Sequence, residues 1–213
     1  MAIKRRGRTL SIKAIIFDYG QVISLPQDPK AIENLAGRVG VEEEKFENLL
    51  WSLRGEYDRG TITARDYYKQ ILSRLGVSMD DKSIDELIEI DLKSWQNINP
   101  GTVSLMEDVK KAGYVLGILS NMPHDFLAWA RKSIPVFSLP QISLFSCEVN
   151  LIKPEAAIFQ KLFSLSGLEP GELVFFDDNP DNVKSAVSMG IKAFLWKDPA
   201  NARRELLSLG VRL

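Results

Sequence analysis

Short apolar runs that stop abruptly at polar residues recur along this chain and predict the strands of a sheet. Ile12–Phe17 reads as a buried strand, too short and too rich in β-branched residues for a helix. Tyr114–Leu119, Leu173–Phe176 and Lys192–Leu195 follow the same pattern, and Ile142–Phe145 is a weaker fifth. Helical periodicity fills the intervals: Val103–Lys111 ends at Gly113, a helix from Pro180 stops at Gly190, and a last one covers Ala200–Leu209. Pro123, Pro154 and Pro180 each suit a first helical position. Alternation of strand and helix implies α/β architecture, a doubly wound, Rossmann-like parallel sheet covered on both faces. Right-handed crossovers bring all strand carboxyl ends to one edge.

Residues 26–99 break this rhythm. They hold no strand pattern, and helical periodicity appears in Ala31–Val39, Glu42–Trp51, Thr63–Leu75 and Ser83–Leu92, with Gly40, Gly60 and Gly76 as breaks. Pro26 and Pro29 open the stretch and Asn99-Pro100-Gly101 closes it. The expectation is an all-α cap domain at 26–99, inserted into a core made of 1–25 and 100–213. The cap aromatics Phe46, Trp51, Tyr57, Tyr67, Tyr68 and Trp95 are expected to form its own small core.

Composition narrows the chemistry. The 213 residues are 45% apolar and 26% charged, ordinary for a soluble globular protein, and the net charge of −1 gives no field that attracts nucleic acid or an anionic membrane. The basic opening (Lys4, Arg5, Arg6, Arg8) reads as a solvated tail without the apolar region of a signal peptide. No apolar run approaches the ~20 residues of a membrane helix. Cys147 is the sole cysteine and His124 the sole histidine. An internal disulfide and a Cys/His zinc site are therefore excluded within one chain, and a reducing, cytoplasmic setting is expected. A resident metal would be held by oxygen, which favours magnesium.

Each major strand is followed at once by polar residues. Asp18 follows the first strand, Ser120-Asn121 the second and Asp177-Asp178 the Leu173–Phe176 strand, while Lys153 precedes Pro154 near a helix start. Singly, each has a bland use as a turn cap, a helix N-cap, a loop lysine or a helix-start acid pair. Together, at one sheet edge, they compose a reaction. A carboxylate nucleophile can accept a phosphoryl group and split a difficult hydrolysis into two steps. Its attack on an anionic phosphate requires charge neutralisation, which a cation held by Asp177-Asp178 would supply. Ser120 and nearby backbone N–H groups suit phosphate oxygens, and Lys153 can hold both phosphate and Asp18.

The segments Phe17-Asp-Tyr-Gly-Gln-Val-Ile23, Leu119-Ser-Asn121, Ile152-Lys-Pro-Glu-Ala-Ala-Ile-Phe159 and Phe175-Phe-Asp-Asp-Asn-Pro-Asp-Asn182 resemble the motifs of the haloacid dehalogenase superfamily. That family consists largely of magnesium-dependent aspartyl-phosphate phosphatases. The first motif is similar to the Asp-x-Gly-Asn-Val subgroup, which looks like sugar-phosphate phosphatases acting on glucose 1-phosphate. The resemblance implies that Asp18 is nucleophile and magnesium (Mg2+) ligand and that Gly20 offers its carbonyl to the metal. It implies further that Ser120, Asn121 and Lys153 bind phosphate, with Lys153 also catalytic. Asp178 would ligate the metal directly and Asp177 through water or indirectly. The partner would be a small-molecule phosphate ester, with neither nucleic acid nor membrane, and the chain a monomer or homodimer.

The departure is Gly20, where most phosphatases of the family carry a second aspartate as general acid and base. Glycine keeps the carbonyl and removes the proton carrier, a contribution of about 10²–10⁴-fold. Asp28, His124 or a cap side chain are candidate replacements, and Tyr19 reads as a packing or cap-facing residue. Two other functions compete: a metal-independent 2-haloacid dehalogenase, to which Asp177-Asp178 would bring needless negative charge, and a weakly active phosphate-ester-binding protein without the general acid.

Overall fold

The computed structural model describes residues 11–213; the basic opening lies outside them. Strand β1 (Ala14–Phe17) is followed by five helices, α1 (Pro29–Val39), α2 (Glu43–Ser52), α3 (Arg54–Arg59), α4 (Ala64–Leu75) and α5 (Asp81–Ser94). The chain then alternates: α6 (Pro100–Lys111), β2 (Val115–Ser120), α7 (His124–Ser133), β3 (Ile142–Phe145), α8 (Ser146–Val149) and α9 (Ala156–Ser166). It ends with β4 (Leu173–Asp177), α10 (Pro180–Ser188), β5 (Lys192–Leu195) and α11 (Pro199–Ser208).

The five strands form one parallel sheet in the order β3-β2-β1-β4-β5. β1 is central because all four of its residues are fully buried, which only a strand flanked and covered on both sides can satisfy. Its side chains alternate between two cores. Ile15 and Phe17 pack with Leu105, Met106 and Phe126 of α6 and α7, and with Leu206 of α11. Ala14 and Ile16 pack with Ile158, Phe159 and Leu162 of α9 and Ala186 of α10. Gly117 of β2 is where the sheet tolerates no side chain: a Cβ there would stand 2.4 Å from Ile16 Cδ1.

The five helices after β1 bury a third core, an all-α cap. Phe46, Tyr57, Tyr67 and Tyr68 lie inside it, with Tyr57 and Tyr67 stacked 4.5 Å apart. Trp51 and Trp95 do not join them: Trp51 is exposed and both turn towards the sheet edge. Helix α3 has no counterpart in the sequence pattern, because its six residues include Gly55 and bury only Tyr57. The two chain crossings into and out of the cap run side by side, through Leu25 N–H to Asn97 C=O (2.8 Å) and Asn99 N–H to Ile23 C=O (2.9 Å).

Local chemistry explains most helix starts. Asp28, Thr63, Asp80, Asn99, Asn179 and Asp198 each cap a helix with a side-chain oxygen. Two of the three proline expectations need correction. Pro180 is a first helical residue, but Pro123 is itself the cap of α7, with extended backbone. Pro154 lies two residues before α9, because the Asn121 amide grips both backbone groups of Lys153 and holds the segment out of a helix. Among the described residues no helix is long and apolar enough to cross a membrane.

Candidate active site

β1 ends at Phe17, level with Ile118 of β2 and Phe176 of β4, so Asp18 emerges between the ends of both neighbours. Its N–H is tied to Phe176 C=O (2.9 Å), and Oδ1 accepts from Tyr19 N–H (2.7 Å). The chain then turns sharply, with Ser24 N–H reaching Tyr19 C=O (2.8 Å) and Gln21 in the left-handed region at φ 57°. That turn presents Gln21 Nε2 to Asp178 Oδ2 at 2.7 Å, a contact the sequence pattern did not signal.

Lys153 joins the strand ends. Its ammonium is 2.9 Å from Asp18 Oδ1 and 2.6 Å from Asp177 Oδ2, and it donates to Leu119 C=O at 3.1 Å. The Asn121 amide donates to Lys153 C=O and accepts from Lys153 N–H, both at 2.9 Å, so this side chain positions the lysine. Ser120 stands beside Asp18 and helps draw its carboxyl down. Asp177 is wholly buried and filled: besides Lys153 it accepts from Asn179 N–H (2.8 Å) and from Asn182 Nδ2 on both oxygens (3.0 and 3.1 Å). Asp18 and Asp178 face the cavity instead.

The electrostatics call for a cation. Oxygens of Asp18, Asp177 and Asp178 lie within 4.8 Å of one another, and Lys153 is the ammonium that binds two of these carboxylates. Three carboxylates against one ammonium leave two negative charges, and the donor set is all oxygen, which fits a hard divalent ion such as magnesium. The Asp18 carboxyl is shifted chiefly by its burial. Burial pushes it up, Lys153 draws it down, Asp177 pushes it up again, and it settles at about 7. Burial and the neighbouring Asp177 likewise raise Asp178. Burial disfavours the charged Lys153, yet Asp177 and Asp18 outweigh it and the ammonium is held more firmly than usual.

The cap closes the cavity. Trp51, Arg54, Asp58 and Trp95 line it opposite Asp18, Ser120, Asn121, Lys153 and Asp178, around a volume of about 400 Å³. Arg54 Nε donates to Asp58 Oδ1 (2.7 Å), its Nη1 lies 3.5 Å from Asp91 Oδ2, and its guanidinium sits over the rings of Trp51 and Tyr57. Of the candidate replacements for the acid absent at Gly20, neither named side chain reaches the cavity. Asp28 caps α1 at the surface, and exposed His124 packs beside Gly60. Tyr19 is buried and donates its hydroxyl to Trp95 C=O (2.7 Å), so it is a packing residue that also grips the cap. Nothing in the sequence pattern singles out Arg54 and Asp58, because the six residues of α3 bury only Tyr57 and show no amphipathic period.

Known proteins place this geometry. The profile of the haloacid dehalogenase-like hydrolases matches residues 8–190. Phosphatase MT3486 of Mycobacterium tuberculosis is 26% identical over 215 residues, covering 96% of this chain and 98% of that protein. Bifunctional epoxide hydrolase 2 of Mus musculus is 43% identical over 226 residues, 92% of this chain but 38% of that protein, so the chain spans about two fifths of its length. Among solved structures, an HAD family enzyme of Bacteroides thetaiotaomicron in complex with magnesium and inorganic phosphate superposes with a TM-score of 0.71 at 26% identity. The match covers 88% of this chain and 96% of that one. A profile match over most of the length, on a sheet that gathers the same motif residues at one edge, has one reading: the chain belongs to the haloacid dehalogenase-like hydrolases.

Proposed function

We propose that the protein is a magnesium-dependent phosphatase that hydrolyses a small-metabolite phosphate monoester, with a sugar phosphate as the favoured class, through an aspartyl-phosphate on Asp18. The observation that carries the reading is the buried Lys153 ammonium between Asp18 and Asp177, beside a third carboxylate at Asp178. Asp18, Asp178 and the Gly20 carbonyl would hold the ion, with Asp177 orienting them from behind. Bound there, magnesium supplies charge neutralisation for the attack of an anion on an anion.

The chain's own residues do the rest. Asp18 attacks phosphorus, and Tyr19 N–H and Lys153 hold its Oδ1 so that the carboxylate is aimed rather than free to rotate. Ser120, Lys153 and the main-chain N–H of Asn121 serve the phosphoryl oxygens, the Asn121 amide being taken up by Lys153. In this reading residues 26–99 are the cap unit over a core of 1–25 and 100–213, and the cap excludes water and selects the leaving group. A cavity of about 400 Å³ suits a metabolite rather than a polymer. A metal-free dehalogenase site gains nothing from three clustered carboxylates, so the cluster favours the phosphatase.

The test is phosphate release from a panel of monoesters, sugar and polyol phosphates included, with magnesium and with EDTA. Turnover that requires magnesium and disappears in Asp18→Asn supports the reading; halide release from 2-haloacids that persists in EDTA overturns it.

A further inference from the structure

We propose that Asp58, a cap residue, is the proton donor and acceptor for the leaving group, the role for which Gly20 has no side chain. The proposal rests on the phosphatase reading above. Asp58 is the one cap carboxylate that lines the cavity with Asp18 among the described residues. It approaches from the cap side, and in-line displacement sends the leaving oxygen away from the nucleophile, hence towards the cap.

Its position is built rather than incidental. Three consecutive residues fasten this corner of the cap to the core. Ser146 Oγ, which also accepts from Met122 N–H, donates to Asp58 C=O. Arg59 forms a two-pronged bridge to Glu155 (2.6 and 3.1 Å). Gly60, at φ 79°, lies so close to α8 that a Cβ would stand 2.9 Å from Cys147 Cα. The clasp brings α3 down beside the end of β2, where Ser120 and Asn121 sit.

The charge balance suits a proton carrier. Arg54 is shared by two carboxylates, 2.7 Å from Asp58 and 3.5 Å from Asp91. One cation between two acids leaves one negative charge over. Asp58 can therefore hold a proton while Arg54 keeps Asp91 as its partner, and can lose that proton while Arg54 steadies the carboxylate. Burial raises the Asp58 carboxyl against the pull of Arg54, which favours the proton-bearing form.

The two half-reactions balance. In the first, an Asp18 oxygen bonds to phosphorus as the bond from phosphorus to the alcohol oxygen breaks. The alcohol leaves with that electron pair and takes the proton of Asp58. In the second, Asp58 carboxylate removes a proton from water as the water oxygen bonds to phosphorus and the Asp18–phosphoryl bond breaks. Phosphate, Asp18 carboxylate and protonated Asp58 result.

The experiment compares single-turnover cleavage of two esters, with magnesium, by wild type, Asp58→Asn and Asp58→Glu. One ester is p-nitrophenyl phosphate, whose leaving group needs no proton. The other is the alkyl monoester that wild type cleaves fastest in the panel above. In Asp58→Asn, alkyl cleavage should fall about 10²–10⁴-fold while p-nitrophenol release in the first turnover falls less than about ten-fold. Asp58→Glu, which keeps a carboxyl, should cleave the alkyl ester at least about ten-fold faster than Asp58→Asn. Equal loss on both esters, or undiminished alkyl cleavage in Asp58→Asn, overturns the assignment. Should Asp58→Asn fail to fold, the glutamate variant decides alone: loss confined to the alkyl ester supports the role, and equal loss on both overturns it. Wild type that cleaves neither ester sinks the phosphatase reading itself, a result separable from failure of Asp58.

Discussion

Trp95 covers Gly20: a Cβ on the glycine would stand 3.8 Å from Trp95 Cζ3, and the hydroxyl of Tyr19, the preceding residue, donates to Trp95 C=O at 2.7 Å. The position that is bare on the core side is thus roofed by an indole from the last turn of the cap. Trp51 meets that indole edge-on, with ring centroids 6.1 Å apart. The pair forms an aromatic wall along the cavity, next to the nucleophile's own turn. An aromatic contact of this kind is worth about 0.5–1.5 kcal/mol.

Trp95→Ala should therefore raise KM by up to about ten-fold and leave kcat within about three-fold, the pattern of lost uniform binding. The backbone hydrogen bond to Tyr19 survives the substitution, so the cap linker keeps its anchor. Steady-state kinetics on the best monoester checks this; a kcat loss without a KM change would count against it.

Lys153 is a buried cation whose removal would strand two buried carboxylates, Asp18 and Asp177. Breaking such a set by deleting one partner costs about 3–5 kcal/mol. Lys153→Met, similar in length and apolar, should lose stability of that order in urea unfolding with EDTA present, besides losing turnover. Unchanged stability would show that the two carboxylates do not depend on this ammonium.

Arg59 and Glu155 clasp the cap to the core from a partly exposed position, with side-chain exposures of 23% and 41%. Solvent screening limits such a bridge to about 0–1 kcal/mol. Arg59→Ala should leave the global unfolding midpoint almost unchanged while amide hydrogen exchange in α3 accelerates, since the local opening it restrains is cheaper than global unfolding. Unaltered exchange in α3 would show that Ser146 and Gly60 suffice to hold the corner.

Cys147 is buried and its thiol is pushed up to about 12 by burial, with Glu148 adding to the effect. The thiolate is the reactive form, so native protein at pH 8 should resist a disulfide exchange reagent and react fully once unfolded. The fold binds this proton more tightly than the unfolded chain does, so the contribution is intact below pH 9, the ordinary value, and is lost as pH climbs towards 12. Thiol titration with and without denaturant measures the first part.

Much of this was written in local pattern. Short apolar runs bounded by polar residues and alternating with helical patterns read as buried parallel strands, so the sheet and the strand ends bearing Asp18, Ser120 and Asp177 were legible. The resemblance of the motifs to a known family was legible for the same reason, because it resides in contiguous residues. Gly20 could be read as a missing carboxylate, but nothing local says what stands over it.

Tertiary structure decided what depends on segments far apart in sequence meeting in space. That Asn121 spends its amide on Lys153, 32 residues away, follows from packing β2 beside the segment before α9. Pro154 leaves the expected helix position for that reason. Trp51 and Trp95 looked like cap core because composition does not reveal which way an aromatic faces; the apposition of cap and sheet turned them to the cavity. Arg54 and Asp58 lie on a six-residue helix too short to show periodicity, and only the docking of that helix on α8 brings a carboxylate into a site with none at position 20. Sequence alone determined which residues could do the chemistry on the core side. The fold decided what confronts them from the cap, since hydrophobic periodicity records what a residue buries and not what it is buried against.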